Sequence, residues 1–202
     1  KVKETQDKYD MLYTKEDYNA GKLDKGLKLD KESVESHTIL SDLAQDRKDF
    51  KGSYAESINK ESSFDVFHFA ANNSNVEWSI SGFGKGKASE YLVGTLHEKD
   101  ISQASITEKG YNEFNMIFLI HSHPSITGTK GGSYVKDIGG DMHNIVNRYY
   151  RFQEKGISPI YMPKEYVYHK YGKTLYNYTP WTSSIYIRPI RKANDLYRGL
   201  GF

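Results

Sequence analysis

The chain has no cysteine among its 202 residues, which excludes disulfides, thiolate-ligated zinc and thiol nucleophiles and leaves the redox compartment open. Long apolar runs are missing too. The longest, Met116–Ile120, has five residues, against the roughly 20 that a membrane-spanning helix needs, so a soluble protein without a membrane partner is expected. Nor is there an excess of charge of one sign. Lys and Arg number 28 against 26 Asp and Glu, for a formal net charge of +2. Because nucleic-acid affinity rests on phosphate neutralisation by basic side chains, no nucleic-acid partner is expected. There is no internal repeat and no low-complexity tract. The first residue is Lys1 rather than Met, which points to a processed or excised portion of something longer.

What is present is one domain's length of chain, possessing a core but carrying an appendage. Tyr supplies 17 residues, which suits strands and half-exposed surfaces. Residues 1–60 are expected to form an N-terminal extension with hairpins in Lys1–Asp30, one amphipathic helix over Glu35–Asp49 and a loop over Phe50–Glu61. A second helix is expected after Ser62 or Ser63, either of which can cap it, burying Phe64, Phe67, Ala70 and Ala71 before Asn72–Asn75 breaks it. Strands follow at Val76–Phe83 and Glu90–His97, joined through Gly84-Lys85-Gly86. Met116–Ile120 reads as a central strand covered on both faces. After a Gly/Ser/Thr-rich loop, Met142, Ile145, Val146, Tyr149 and Phe152 or Gln153 recur at helical spacing, with Asp141 as N-cap and Lys155-Gly156 as the stop. Short strands at Ile157–Met162, Glu165–Tyr171, Thr174–Tyr178 and Ser184–Ile187 complete an α+β pattern over residues 61–202.

One cluster carries chemistry. The apolar strand runs into His121-Ser122-His123-Pro124, and alternation on an extended chain puts both imidazoles on one face. Asp141, with Asp137 four residues before it, supplies a carboxylate. Two His, one carboxylate and one open position form the ligand set of hydrolytic zinc. Glu77, at a helix-to-strand junction, is the candidate base if its strand lies beside the His strand. His143, about 200° around the helix from Asp141, points elsewhere. His37, His68, His97 and His169 read as structural or surface residues.

A Glu after a helix, a strand ending in His-Ser-His-Pro, and an Asp opening a helix together resemble the JAB/MPN metallopeptidases, the JAMM family. The resemblance is strongest to the JAB-like toxin domains of bacterial polymorphic toxins and spans about Ser62 to Ile187. It implies a JAB/MPN-like, cytidine-deaminase-type mixed sheet flanked by helices. It also implies a Zn2+-dependent peptidase or isopeptidase acting on protein or peptide substrates, exported as part of a larger protein and countered by an immunity protein. His121, His123 and Asp141 would be ligands, with Asp137 as the alternative, and Glu77 the general acid/base. The family's Ser three residues before the ligand Asp is replaced by Ile138 before Asp141 and by Tyr134 before Asp137. Ser133, Ser122 or a backbone N–H is left to stabilise the oxyanion. A metal-free MPN-like binding module and, further down, a metal-dependent nuclease toxin are the alternatives.

Overall fold

The computed structural model describes residues 2–31, 45–47, 50–57, 59–96, 110–124 and 140–202. Near the N-terminus, β1 (Val2–Lys3), β2 (Tyr9–Leu12) and β3 (Leu27–Asp30) form a small antiparallel sheet, with the short helix α1 (Lys15–Asn19) between β2 and β3. The main sheet has eight strands: β4 (Gln45–Arg47), β5 (Phe50–Ser57), β6 (Ser79–Phe83), β7 (Glu90–Thr95), β8 (Met116–His123), β9 (Lys164–His169), β10 (Thr174–Thr179) and β11 (Thr182–Pro189). Their spatial order is β11-β10-β9-β8-β6-β7-β5-β4. Among the described residues only β8 and β9 pair in parallel, and the connection between them contains the helix α3 (Asp141–Glu154), as a crossover between parallel strands requires. The fold is α+β, a mixed sheet with helices on it, as expected.

The faces follow from strand alternation. Phe118 and Ile120 of β8 and Tyr166 and Tyr168 of β9 pack with Phe64, Val66, Phe67 and Ala71 of helix α2 (Lys60–Asn73). Val167 of β9 and Tyr178 of β10 pack with Met142 and Ile145 of α3. The two helices therefore cover opposite faces, and the odd-numbered residues His121 and His123 point to the α3 side. Leu12 and Leu29 of the small sheet join the α2-side core.

Several sequence expectations are corrected. Phe50–Glu61 is not a loop: β5 pairs with β7 from Ser53↔Thr95 to Ser57↔Tyr91, so the main sheet reaches back across residue 60. Its stabilisation comes from that distant partner rather than from local pattern. The helix expected over Glu35–Asp49 gives way at Gln45–Arg47 to β4, paired with β5; 32–44 and 48–49 lie outside the described residues. α2 starts before Ser62, because Asn59 caps it by accepting from the Ser62 N–H at 2.9 Å. Ile157–Met162 is not a strand, since Pro159 opens a 3-10 turn there. α3 is capped by Gly140 at φ 85°, and Asp141 is its first residue rather than its cap. On the buried face of α3 the structure places Arg148 together with Met142, Ile145 and Phe152.

Gly82 of β6 sits where β6 crosses the aromatic centre of the core. A Cβ there would stand 2.7 Å from Phe118 Cδ1 and 2.8 Å from Ala88 Cβ, while Phe118 is stacked on Phe202 at 4.1 Å and cannot yield freely. We expect Gly82→Ala to destabilise the fold by about 1–3 kcal/mol, read as a lowered urea midpoint; an unchanged midpoint would contradict this packing.

Candidate metal centre

Strand β8 delivers two imidazoles by alternation, and both are buried, 3% exposed at His121 and 7% at His123. Their Nε2 atoms lie 3.2 Å apart. Antiparallel pairing of β6 with β8 sets Ser79 opposite His121, and continuing that register by two residues brings Glu77 opposite His123. Three hydrogen bonds hold this extension. The Ser122 N–H donates to the Trp78 carbonyl at 2.8 Å, the Trp78 N–H donates to Ser122 Oγ at 3.0 Å, and Thr95 Oγ1 donates to the Glu77 carbonyl at 2.5 Å. The Ser122 hydroxyl thus completes the ladder between the two His and, in register with Tyr168, lies on the α2 side, away from the imidazoles. That geometry removes Ser122 from the oxyanion candidates.

Asp141, at the first turn of α3, reaches over the sheet to both rings. Its Oδ1 is 3.1 Å from His121 Nε2 and its Oδ2 3.4 Å from His123 Nε2. Glu77 Oε1 is 3.7 Å from His123 Nε2, and the donor atoms of Glu77, His121 and His123 all lie within 4.8 Å of one another. Of the residues expected from sequence, the structure therefore brings together Glu77, His121, His123 and Asp141. Ser133 and Asp137 lie outside the described residues. His143 is exposed and stands apart from the cluster. His169 is buried in register beside His123, its Nδ1 accepting from the Gly172 N–H at 3.0 Å.

The donor set fits a cation. Ligand atoms separated by 3.1–3.4 Å suit an ion bound tetrahedrally through N and O at about 2.0–2.2 Å. The electrostatics agree: two carboxylates are held together under little solvent, Glu77 with 9% and Asp141 with 17% of the side chain exposed, and concentrated negative charge of this kind calls for a positive one. Burial alone would lower the His121 pKa, but the Asp141 carboxylate, as charge and as hydrogen-bond partner, and then Glu77, push it up to about 9. In the metal-free chain a proton supplies part of what a cation would. Tyr178 presents its ring edge to His121 at 5.9 Å between centroids; burial, then the Asp141 charge, push its phenol well above the usual range, with Arg148 pulling the other way.

The central strand brings two imidazoles, the crossover helix one carboxylate and the segment entering β6 another to one buried point, where Glu77, His121 and His123 could hold a metal ion. Comparison with protein families finds that residues 55–146 are similar to the family JAB-like toxin 1. No curated protein and no solved structure matches it. Among the described residues no helix is long and apolar enough to cross a membrane.

The sequence reading missed the polar residues around the cluster: Arg148, Glu165 and Tyr178, and the role of Ser122. Arg148 had a signal, because it falls seven residues from Asp141 on a stripe otherwise occupied by Met142, Ile145 and Phe152.

The raised His121 value has two opposite consequences. Its folded pKa of about 9 exceeds the ordinary 6.5, so the His121–Asp141 pairing stabilises the metal-free protein fully below pH 6.5 and ceases to as the pH rises through about 9. The same proton competes with metal. In chelator, the contribution of this pair to the thermal midpoint should fade between those limits, while zinc affinity measured calorimetrically should grow over the same interval with proton release. Zinc binding that is independent of pH in this window would contradict the assignment.

Proposed function

We propose that this domain is the effector part of an exported bacterial toxin and hydrolyses amide bonds, peptide or isopeptide, in protein substrates, using zinc held by His121, His123 and Asp141. The observation that carries the reading is the placement of a second carboxylate, Glu77, beside the two imidazoles and Asp141, 3.7 Å from His123 Nε2. A ligand set alone binds metal; hydrolysis also needs a base within one solvent molecule of it. Zinc in this setting would lower the pKa of water toward about 7 and polarise a carbonyl.

The protein's own contributions follow from the geometry. His121 and His123 act as neutral imidazoles through Nε2. Asp141 offers one oxygen toward each ring and balances the charge of a divalent ion. Glu77 Oε1 takes the proton from the attacking water as the new C–O bond forms and then delivers it to the amine nitrogen as the C–N bond breaks, so the leaving group departs neutral. The Ser122–Trp78 and Thr95–Glu77 bonds keep the Glu77 backbone from drifting, and a catalytic base misplaced by 1 Å loses much of its effect. Oxyanion stabilisation falls to Ser133 or a backbone N–H. The toxin family, with its match over 55–146, supports export within a larger protein and an immunity protein as partner.

Glu77→Gln should retain about one zinc per chain by elemental analysis and lose at least about 100-fold in turnover on a peptide or ubiquitin-like isopeptide. His121→Ala should lose both metal and turnover. A fully active Glu77→Gln protein would remove Glu77 from the chemistry, and a wild-type protein that takes up no zinc on reconstitution would remove the hydrolase reading.

A further inference from the structure

Helix α3 carries a buried arginine. Arg148 is 8% exposed and is the one charged side chain among the buried residues of α3, where Met142, Ile145 and Phe152 make up the rest. Seven residues separate it from Asp141, two turns at about 3.6 residues per turn, so the two project from the same face of the helix onto the sheet. There Arg148 Nη1 forms an ion pair with Glu165 Oε1 of β9, a carboxylate that is 2% exposed. The other oxygen of Glu165 accepts from the Tyr178 hydroxyl of β10 at 2.5 Å. The Tyr178 ring in turn stands edge-on to His121. On its outer side Arg148 Nε meets Glu113 Oε2 at 3.3 Å, and Glu113 also grips Arg151 through two bonds of 2.6 Å. Burial would raise the Glu113 pKa, but the hydrogen bond and charge of Arg151 and then Arg148 hold it below its ordinary value. One continuous chain of polar contacts therefore runs from the segment before β8, through α3, to β9 and β10, and ends on a ring that touches His121.

We propose that Arg148, Glu165 and Tyr178 are positioning residues that set Asp141 against the two imidazoles and thereby tune metal affinity at the site. The inference rests on the metal reading given above and goes beyond it. Apolar packing alone tolerates small rotations and slides of a helix, because dispersion contacts are numerous and weakly directional. A buried ion pair does not, since a displaced Arg148 would leave two charges stranded in a low-dielectric interior. The pair thus locks both the rotation and the axial position of α3. Asp141 sits at the start of that helix, preceded by Gly140, and the register of α3 on the sheet is what sets where its carboxylate lies. Tyr178 acts on the other partner: its hydroxyl orients Glu165 while its ring limits the swing of His121.

The test separates positioning from stability. Tyr178→Phe keeps the ring and removes the hydroxyl, and the double variant Arg148→Met with Glu165→Met removes both charges together, so that neither is left unpaired. The control is Tyr168→Phe. Tyr168 is equally buried, and its hydroxyl donates to Asn72 Oδ1 at 2.9 Å on the opposite, α2 side of the sheet. Zinc binding is followed by calorimetry, coordination by the visible absorption of the cobalt(II)-loaded protein, and folding by circular dichroism and urea midpoints of the metal-free chain. We expect Tyr178→Phe and the double variant to weaken zinc binding by roughly 10–100-fold, the range seen when partners behind metal ligands are removed, and to alter the cobalt spectrum. Tyr168→Phe should lower the urea midpoint and leave both metal readouts unchanged. A folded Tyr178→Phe protein with wild-type zinc affinity and cobalt spectrum would overturn the inference while leaving the hydrolase proposal standing. A Tyr168→Phe protein weakened as much as Tyr178→Phe would reduce the effect to stability and overturn it as well. A wild-type chain that binds neither ion would remove both readings at once.

Discussion

Everything at the centre of this protein follows from two carboxylates forced next to a pair of imidazoles under little solvent. Glu77 and Asp141 arrive from different elements, one from the segment entering β6 and one from the first turn of α3, and both come within 3.1–3.7 Å of a histidine nitrogen. An arrangement with this much negative charge is costly unless something positive sits among it. In the metal-free chain the positive charge is the proton that His121 retains up to about pH 9. A divalent ion satisfies the same demand more fully and leaves both imidazoles neutral, and the spacing of the donors suits one.

The fold supplies the rigidity that such a cluster needs. β8 is a central strand, paired with β6 on one side and β9 on the other, so the His positions are held on both edges. The Ser between the two His does structural work that its neighbours cannot: its hydroxyl accepts the Trp78 N–H and carries the β6 ladder past the end of the regular strand, to the residue that bears the Glu77 carboxylate. The aromatic stack of Phe64, Phe118 and Phe202 on the α2 side anchors the strand from below. On the side facing α3 the imidazoles and carboxylates stand beside the apolar contacts of Met142, Ile145 and Val167.

Much of this was legible in sequence because it is local. The strand ending in His-Ser-His-Pro, the helix opening at Asp141 and the same-face placement of the two imidazoles follow from period-2 and period-3.6 patterns within a few residues. Glu77 could be named, but its distance from the imidazoles depends on β6 lying beside β8, and pairing between segments about 40 residues apart leaves no mark on either. β5 was hidden for the same reason, since its polar sequence becomes a strand only against β7. Choosing between Asp137 and Asp141 from spacing alone was not feasible either. The carboxylate the structure places against the imidazoles is Asp141, while Asp137 lies outside the described residues. The helical stripe was read with Tyr149 on its apolar face, whereas packing turns Arg148 inward. An arginine among apolar positions is informative only once its distant partner is known, and Glu165 lies in another strand.

That arginine also bears on how the site is organised. A buried Arg–Glu pair is seldom the most stable solution for a core, and apolar residues of similar volume frequently do as well or better. Its presence on the helix that bears Asp141 is therefore better explained by direction than by stability. The apolar contacts of Met142, Ile145 and Phe152 hold α3 on the sheet; the charged contact determines where on the sheet it rests. Because Glu165 is shared with Tyr178, and Tyr178 with His121, the same contact couples the placement of the carboxylate to that of the imidazole it faces. Two donors brought by a crossover helix and a central strand are then held to one geometry by a link that does not pass through the metal position, and this lets the site be preorganised before any ion enters.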